Sequence, residues 1–198
     1  MKKQIIVTLG REAGSGGHTI AQILAEKLQI KLYDKDMIKA AVLTSGYDKD
    51  MVEQLDEKPV NYLTYRRIGS YSNSLEENVA EKQFEFIKGR AMAGESFVLV
   101  GRCGEYLLRD NPNTVRIFVL APLQYKIHHM MEEYSFEEDV AAARIRSVDH
   151  KRKAYHNHYS DIKWGDSRGY DLCISSSKMG IAKTAEVLFD YIQVFRSI

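Results

Sequence analysis

Two kinds of hydrophobic pattern take turns along the chain. Residues 4–9 are β-rich and mostly apolar up to Gly10. A strand covered on both faces reads this way, because it loses the polar alternation of a half-exposed one. Residues 18–28 instead place Ile20, Ile23, Leu24 and Leu28 at helical spacing. Residues 30–33 predict a short second strand closed by Asp34, and residues 35–43 a helix. Residues 47–73 hold Pro59 and several tyrosines and fit only short helices and loops. Ser74-Leu75-Glu76-Glu77 is a capping box, in which the hydroxyl and a carboxylate satisfy orphan amides at a helix start. It predicts a helix to about residue 94 with Val79, Phe84, Ile87 and Ala91 inward. Residues 97–100 and 114–120 predict strands, and Ala121-Pro122 opens a helix. Ser135 to Glu138 repeats the capping-box spacing and predicts the start of a long helix toward residue 159. Residues 172–175 predict the last strand. Ile181, Ala185, Leu188, Ile192 and Phe195 then form one apolar stripe on a final helix.

Five short apolar strands alternating with helices predict an α/β fold with a mostly parallel sheet. In such sheets ligands bind at the carboxyl ends of the strands, at a switch point. Composition narrows the picture little. At 198 residues the chain predicts one domain. Lys+Arg is 28 against 27 Asp+Glu, so no global charge draws it to nucleic acid or a membrane. Cys103 and Cys173 are too few for a disulfide scaffold and fit a reducing, cytoplasmic setting. No apolar run approaches the roughly 18 residues of a membrane span. The run behind Lys2 and Lys3 stops at Gly10-Arg11-Glu12, which fits a first strand and not a signal peptide.

The chemistry concentrates between the first strand and first helix, where Gly10, Gly14, Gly16 and Gly17 fall within eight residues. Glycines let backbone amides curl around an anion, and the helix N-terminus adds a favourable dipole. A tight strand–helix turn is the plain alternative. The phosphate-loop pattern in its G-K-G-T form wants a lysine two residues before Thr19, where Gly17 stands. A dinucleotide fingerprint fits Gly14 and Gly16, with Asp34 at a suitable distance, but its third glycine would be Thr19. Pattern alone leaves both open.

Six spaced motifs decide between them: Gly10 to Gly17, Tyr33-Asp34-Lys35-Asp36, Val100-Gly101-Arg102-Cys103, Ala121-Pro122, Asp149-His150-Lys151-Arg152 and Lys163-Trp164-Gly165-Asp166. Together they resemble the cytidylate kinase-like family, a branch of the P-loop nucleoside monophosphate kinases, over nearly the whole chain. The resemblance implies a three-layer P-loop NTPase-type fold: a five-stranded parallel sheet, helices on both faces and a helical lid. It implies a single domain, with an acceptor-side segment at about 35–73 and a lid at about 144–168. It also implies transfer of the ATP γ-phosphoryl to a nucleoside monophosphate, CMP or dCMP by family default, with Mg²⁺. Such transfer needs positioning, charge neutralisation and exclusion of water. The alternative is a nucleotide-binding protein without efficient transfer, or a kinase for a non-nucleotide acceptor.

On that resemblance, the amides of Gly14, Ser15, Gly16, Gly17 and His18 face the donor phosphates, and the Thr19 hydroxyl faces Mg²⁺. Arg11 either replaces the missing lysine or pairs with Glu12 or Asp34. Asp34 either orients Mg²⁺ and the acceptor or caps the next helix. Arg102 matches an acceptor-phosphate arginine, whose guanidinium would grip phosphate bidentately. The base-reading aspartate of better-known kinases is replaced after it by Cys103. Arg66 or Arg67 would reach the acceptor phosphate. Residues 144–153 hold five Lys/Arg against one Asp, matching a lid whose Arg144, Asp149 and Arg152 close over the transferring group. The stripe lacks the interleaved aromatics of a nucleic-acid surface. No cysteine or acid completes a metal set around His156 and His158. Trp164 either covers a base or anchors the loop. Glycine's role in the loop predicts that Gly16→Val excludes ATP.

Overall fold

The computed structural model describes residues 3–43, 67–68, 71–72 and 74–197. Strand β1 (Ile6–Arg11) leads into α1 (Gly17–Leu28), β2 (Lys31–Tyr33) and α2 (Lys35–Leu43). Strands β3 (Arg67–Ile68) and β4 (Tyr71–Ser72) pair antiparallel with each other. The rest of the stretch expected to be irregular, Arg66 included, lies outside the described residues. Helix α3 (Leu75–Met92) precedes β5 (Phe97–Val100), α4 (Gly104–Leu107) and β6 (Thr114–Leu120). Helices α5 (Leu123–Tyr134) and α6 (Glu138–Tyr159), strand β7 (Leu172–Ser175) and helix α7 (Gly180–Ser197) complete the chain.

The five long-range strands form one parallel sheet in the order β2-β5-β1-β6-β7. β1 is central, and the chain reverses direction across the sheet between β5 and β6. A loop leaving the carboxyl end of β1 therefore opens at the switch point. The central strands alternate their side chains between two cores. Ile5, Val7 and Leu9 face α1 and α7, meeting Ile20, Leu24, Leu188 and Ile192. Ile6, Phe97 and Leu99 face the other way, toward Ile38 of α2 and Ile87 and Ala91 of α3. Each fully buried Leu or Ile contributes about 1.5–3 kcal/mol, so the helices flanking the loop stand on a rigid base. Among the described residues no helix is long and apolar enough to cross a membrane.

The capping box at Ser74 forms as expected: its Oγ accepts from the Glu77 amide at 3.3 Å. The one expected at Ser135 does not. Ser135 adopts a left-handed φ of 56° and closes α5, its amide donating to Met131 O at 2.9 Å. The turn into α6 is too tight for Ser135 to cap it. Glu138 and Asp139 in the first turn meet the helix dipole instead, with no side-chain cap. The tight turn folds α6 back on α5, with Ile127, Met130, Ala141 and Ile145 packed together with Ala13 of the glycine loop. The helical hairpin thereby leans on the loop. The short helix α4 was not signalled by the sequence pattern.

Candidate functional site

A cleft of about 430 Å³ opens between the glycine loop and the helical hairpin. One rim is the start of α1. Its N-cap, Gly16, offers no side-chain acceptor, and its first turn holds no acidic residue. The first amides of a helix have no acceptor within it, so this end is electrically positive and uncovered. Arg11, Gly14, Gly16, Gly17, His18, Thr19, Asp34, Arg144 and Arg152 all line the cleft. These residues come from β1, the glycine loop, α1, the β2–α2 junction and α6, and span 142 positions of chain from Arg11 to Arg152. The opposite wall is mixed: Met130, Phe136 and Val148 stand beside His129, Glu133 and the two arginines of α6, and Tyr134 stacks on Phe136 at 5.6 Å between ring centres.

Asp34 takes the second of its two expected parts, the cap of α2. Its Oδ1 accepts from the amides of Asp36 and Met37 at 3.1 Å each, capping α2. Its Oδ2 lies 3.9 Å from His18 Nε2, on the cleft side. Thr19 is half-buried on the same rim. No group of three His, Cys, Asp or Glu among the described residues could by itself hold a metal ion.

Three expected site residues sit elsewhere. Ser15 is fully buried; its Oγ donates to Glu12 O at 2.8 Å and its amide to the same carbonyl at 3.3 Å. Its carbonyl accepts from Ser176 Oγ at 2.7 Å. Ser15 therefore braces the loop from behind and does not line the cleft. Asp149 is also behind the loop. Its Oδ1 accepts from the Ala13 amide at 2.7 Å, and its Oδ2 lies 3.5 Å from Lys126 Nζ. Arg102 is 2% exposed and lines a separate cavity of about 20 Å³, together with Glu105, Tyr155, His156, Trp164 and Tyr170. Its burial follows from the backbone: Gly101, Arg102 and Cys103 have successive left-handed φ angles of 74°, 58° and 52°. That run curls the chain back beneath the sheet end. Arg11 and Arg152 line both cavities and connect them.

Cys103 packs against Ala80 and Tyr155 and is 4% exposed, a packing residue. Trp164 sits edge-on to Phe118 at 5.4 Å, and its amide donates to Asn157 Oδ1 at 2.9 Å. It anchors the loop between α6 and β7.

Sequence reasoning missed Lys126 of α5. Its Nζ lies 3.0 Å from Glu12 Oε2 and 3.5 Å from Asp149 Oδ2, with the side chain only 9% exposed. The available signal was a lysine on the helix face that also presents Met130. His129 was missed too; its Nδ1 lies 3.1 Å from Gly14 O. A third omission is the buried pair of His156 Nε2 and Glu105 Oε1, 2.5 Å apart, which ties α6 to α4.

Burial pushes the Asp149 carboxyl above the usual range, against the opposing pull of the Ala13 amide, Lys126 and Arg152. A raised folded pKa means the folded state binds a proton where the unfolded chain does not. Asp149 thus favours folding below that pKa, and its contribution falls as pH rises through it. Asp149→Asn keeps an acceptor for the Ala13 amide without the charge. We expect a stability change within about 1 kcal/mol at pH 7 and a flatter stability profile between pH 4 and 7. A urea-denaturation series that keeps its full pH slope would remove Asp149 as the source.

The parallel sheet with its central strand feeding a glycine loop, covered by a helical hairpin, defines a P-loop kinase-like α/β fold. The sequence profile of the cytidylate kinase-like family matches residues 6–178, and the chain belongs to that family. It is 21% identical to the cytidylate kinase of Methanobrevibacter smithii over 190 residues, covering 96% of this chain and 99% of that one. The structure of an uncharacterized protein from Eubacterium ventriosum superposes with a TM-score of 0.75 at 35% identity, covering 96% and 99% of the two chains. A shikimate kinase from Bacteroides thetaiotaomicron shares the fold, with a TM-score of 0.56 at 10% identity over 96% and 98% of the chains.

Proposed function

We propose that the protein is a phosphotransferase that moves the γ-phosphoryl of ATP to a nucleoside monophosphate, with CMP or dCMP as the first acceptors to try. The observation behind this reading is the uncapped start of α1 opening into a cleft that Arg11, Arg144 and Arg152 share. The bond from the γ-phosphorus to the bridging oxygen breaks, a bond to an acceptor phosphate oxygen forms, and ADP leaves. The free amides of the first turn of α1 hold the donor phosphates. Arg144 and Arg152 stabilise the charge spread over the equatorial oxygens of the transferring group. Thr19 Oγ1 and Asp34 Oδ2 would hold Mg²⁺, which neutralises phosphate charge when bound. The apolar side chains of Met130, Phe136 and Val148 among these groups lower the local dielectric, so each of these interactions acts more strongly than in water. Arg102 serves the acceptor side through the smaller cavity, next to Arg11 and Arg152.

The test is ADP release from ATP and Mg²⁺ against a panel of nucleoside monophosphates, with calorimetric ATP binding on the same sample. Acceptor-dependent ADP release is the expected result. Arg144 is exposed on α6, so Arg144→Ala should stay folded and lower kcat on the order of 100-fold. Unchanged kcat in that variant would remove Arg144 from the site. The absence of a lysine at Gly17 favours a second reading, a nucleotide-binding protein without efficient transfer. Tight ATP binding with no turnover on any acceptor would support it.

A further inference from the structure

Gly17 needs no glycine for its own backbone, since it begins α1 in ordinary helical geometry. What demands glycine there is a neighbour. A Cβ on residue 17 would lie 2.5 Å from Arg11 Cβ and 3.0 Å from Arg11 Cγ. Both atoms stand at the root of the arginine side chain, so no rotation of its far end relieves the clash. Leu9 Cδ2, at 3.4 Å, closes the remaining side. Arg11 thus stands where a side chain from residue 17 would begin, and it lines the same cleft as Gly16 to Thr19.

We infer that Arg11 and Gly17 are a matched exchange: the cation of the glycine loop comes from the last residue of β1, and this placement excludes one from the first turn of α1. The inference rests on the reading of the cleft as an ATP-phosphate site. It turns the departure from the phosphate-loop pattern into a relocation of charge. The root of Arg11 is fixed, because its carbonyl accepts from Arg152 Nη1 at 3.3 Å and its strand pairs with β6 through Val119. A guanidinium also differs from an ammonium in kind. It stays charged at every working pH and offers a planar fork that matches two phosphate oxygens at once.

The experiment compares the unmodified protein, Arg11→Gly, Gly17→Lys and the double variant by calorimetric titration with ATP and Mg²⁺ and by thermal unfolding. Glycine is needed at position 11 because alanine would keep the Cβ that lies 2.5 Å from a Cβ on residue 17. Arg11→Gly should weaken ATP binding about 10- to 100-fold. Gly17→Lys should lower Tm by several degrees through overpacking and weaken ATP binding as well. In the Arg11→Gly background Gly17→Lys should cost no further Tm and restore most of the ATP affinity. If Gly17→Lys fails to fold, Gly17→Ala serves in its place. It should lower Tm beside Arg11 and leave Tm unchanged in the Arg11→Gly background. A double variant that binds ATP no better than Arg11→Gly overturns the exchange. Undiminished ATP binding by Arg11→Gly overturns it while leaving the cleft an ATP site. Failure of the unmodified protein to bind ATP overturns both.

Discussion

Lys126→Met is expected to destabilise the protein by about 2–4 kcal/mol and to abolish measurable ATP binding at ordinary protein concentrations. Methionine keeps most of the apolar stem, so the loss isolates the charge. The ammonium lies 3.0 Å from Glu12 and 3.5 Å from Asp149, and those two carboxylates hold the loop. Glu12 Oε2 accepts from the Ala121 amide at 3.3 Å, and Asp149 Oδ1 from the Ala13 amide at 2.7 Å. Without the cation the two anions repel across a partly buried gap. Removing one partner of a buried ion pair costs about 3–5 kcal/mol; the Glu12 side chain is 27% exposed, which pulls the figure toward the low end.

The pH dependence identifies the cause. Loss of Lys126 removes one of the influences that hold the Asp149 carboxyl down, so its folded pKa rises further above the unfolded value. The deficit should then be largest at pH 7 and narrow as pH falls through that raised pKa toward 4. Urea midpoints across that range measure it. A deficit below about 0.5 kcal/mol, or one that is flat with pH, would show that the loop does not depend on this cluster. Lys126→Met combined with Asp149→Asn should recover part of the loss, because one of the two stranded charges is gone.

What the sequence made legible follows from the range of the interactions involved. The apolar run from Ile5 to Leu9, the stripe from Ile20 to Leu28 and that from Ile181 to Phe195 are local patterns, and all three packed as they read. The cluster of glycines followed by an apolar helix marked the site for the same reason. The bonds that shape the loop are not local. Asp149 reaches Ala13 across 136 residues, and Lys126 reaches Glu12 across 114. A single sequence records neither pairing. Ser135 misled because a capping-box spacing describes a helix start only when the preceding chain is extended, and here it was still leaving α5. Arg102 was legible only in part. Its motif suggests a phosphate ligand, and three successive left-handed residues place it in a small cavity beside the cleft, reached past Arg11 and Arg152. Backbone strain of that kind gathers at functional sites, yet Arg102 and Cys103 are not residue types that announce it.

Gly16→Val should cost about 2–5 kcal/mol and eliminate ATP binding, by a route other than the one the glycine pattern suggests. The pattern implies a side chain standing in the phosphate's place. In the structure a Cβ on Gly16 would point away from the cleft, 2.5 Å from both Cδ1 and Cγ1 of Ile181 at the start of α7. Gly16 also has a φ of 73°, and a β-branched residue there adds about 1–2 kcal/mol of backbone strain. Valine must therefore push α7 away or abandon the left-handed turn, and the second response redirects the first amides of α1. The two contributions separate in a series. Gly16→Ala tests both at reduced size, and Gly16→Val with Ile181→Ala removes the clash but keeps the strain. We expect the double variant to regain about 1–3 kcal/mol of stability relative to Gly16→Val without regaining ATP binding. Recovery of ATP binding on trimming Ile181 would mean that packing against α7, and not the left-handed turn, sets the direction of those amides. Undiminished Tm and ATP affinity in Gly16→Val itself would remove the loop as the anion site.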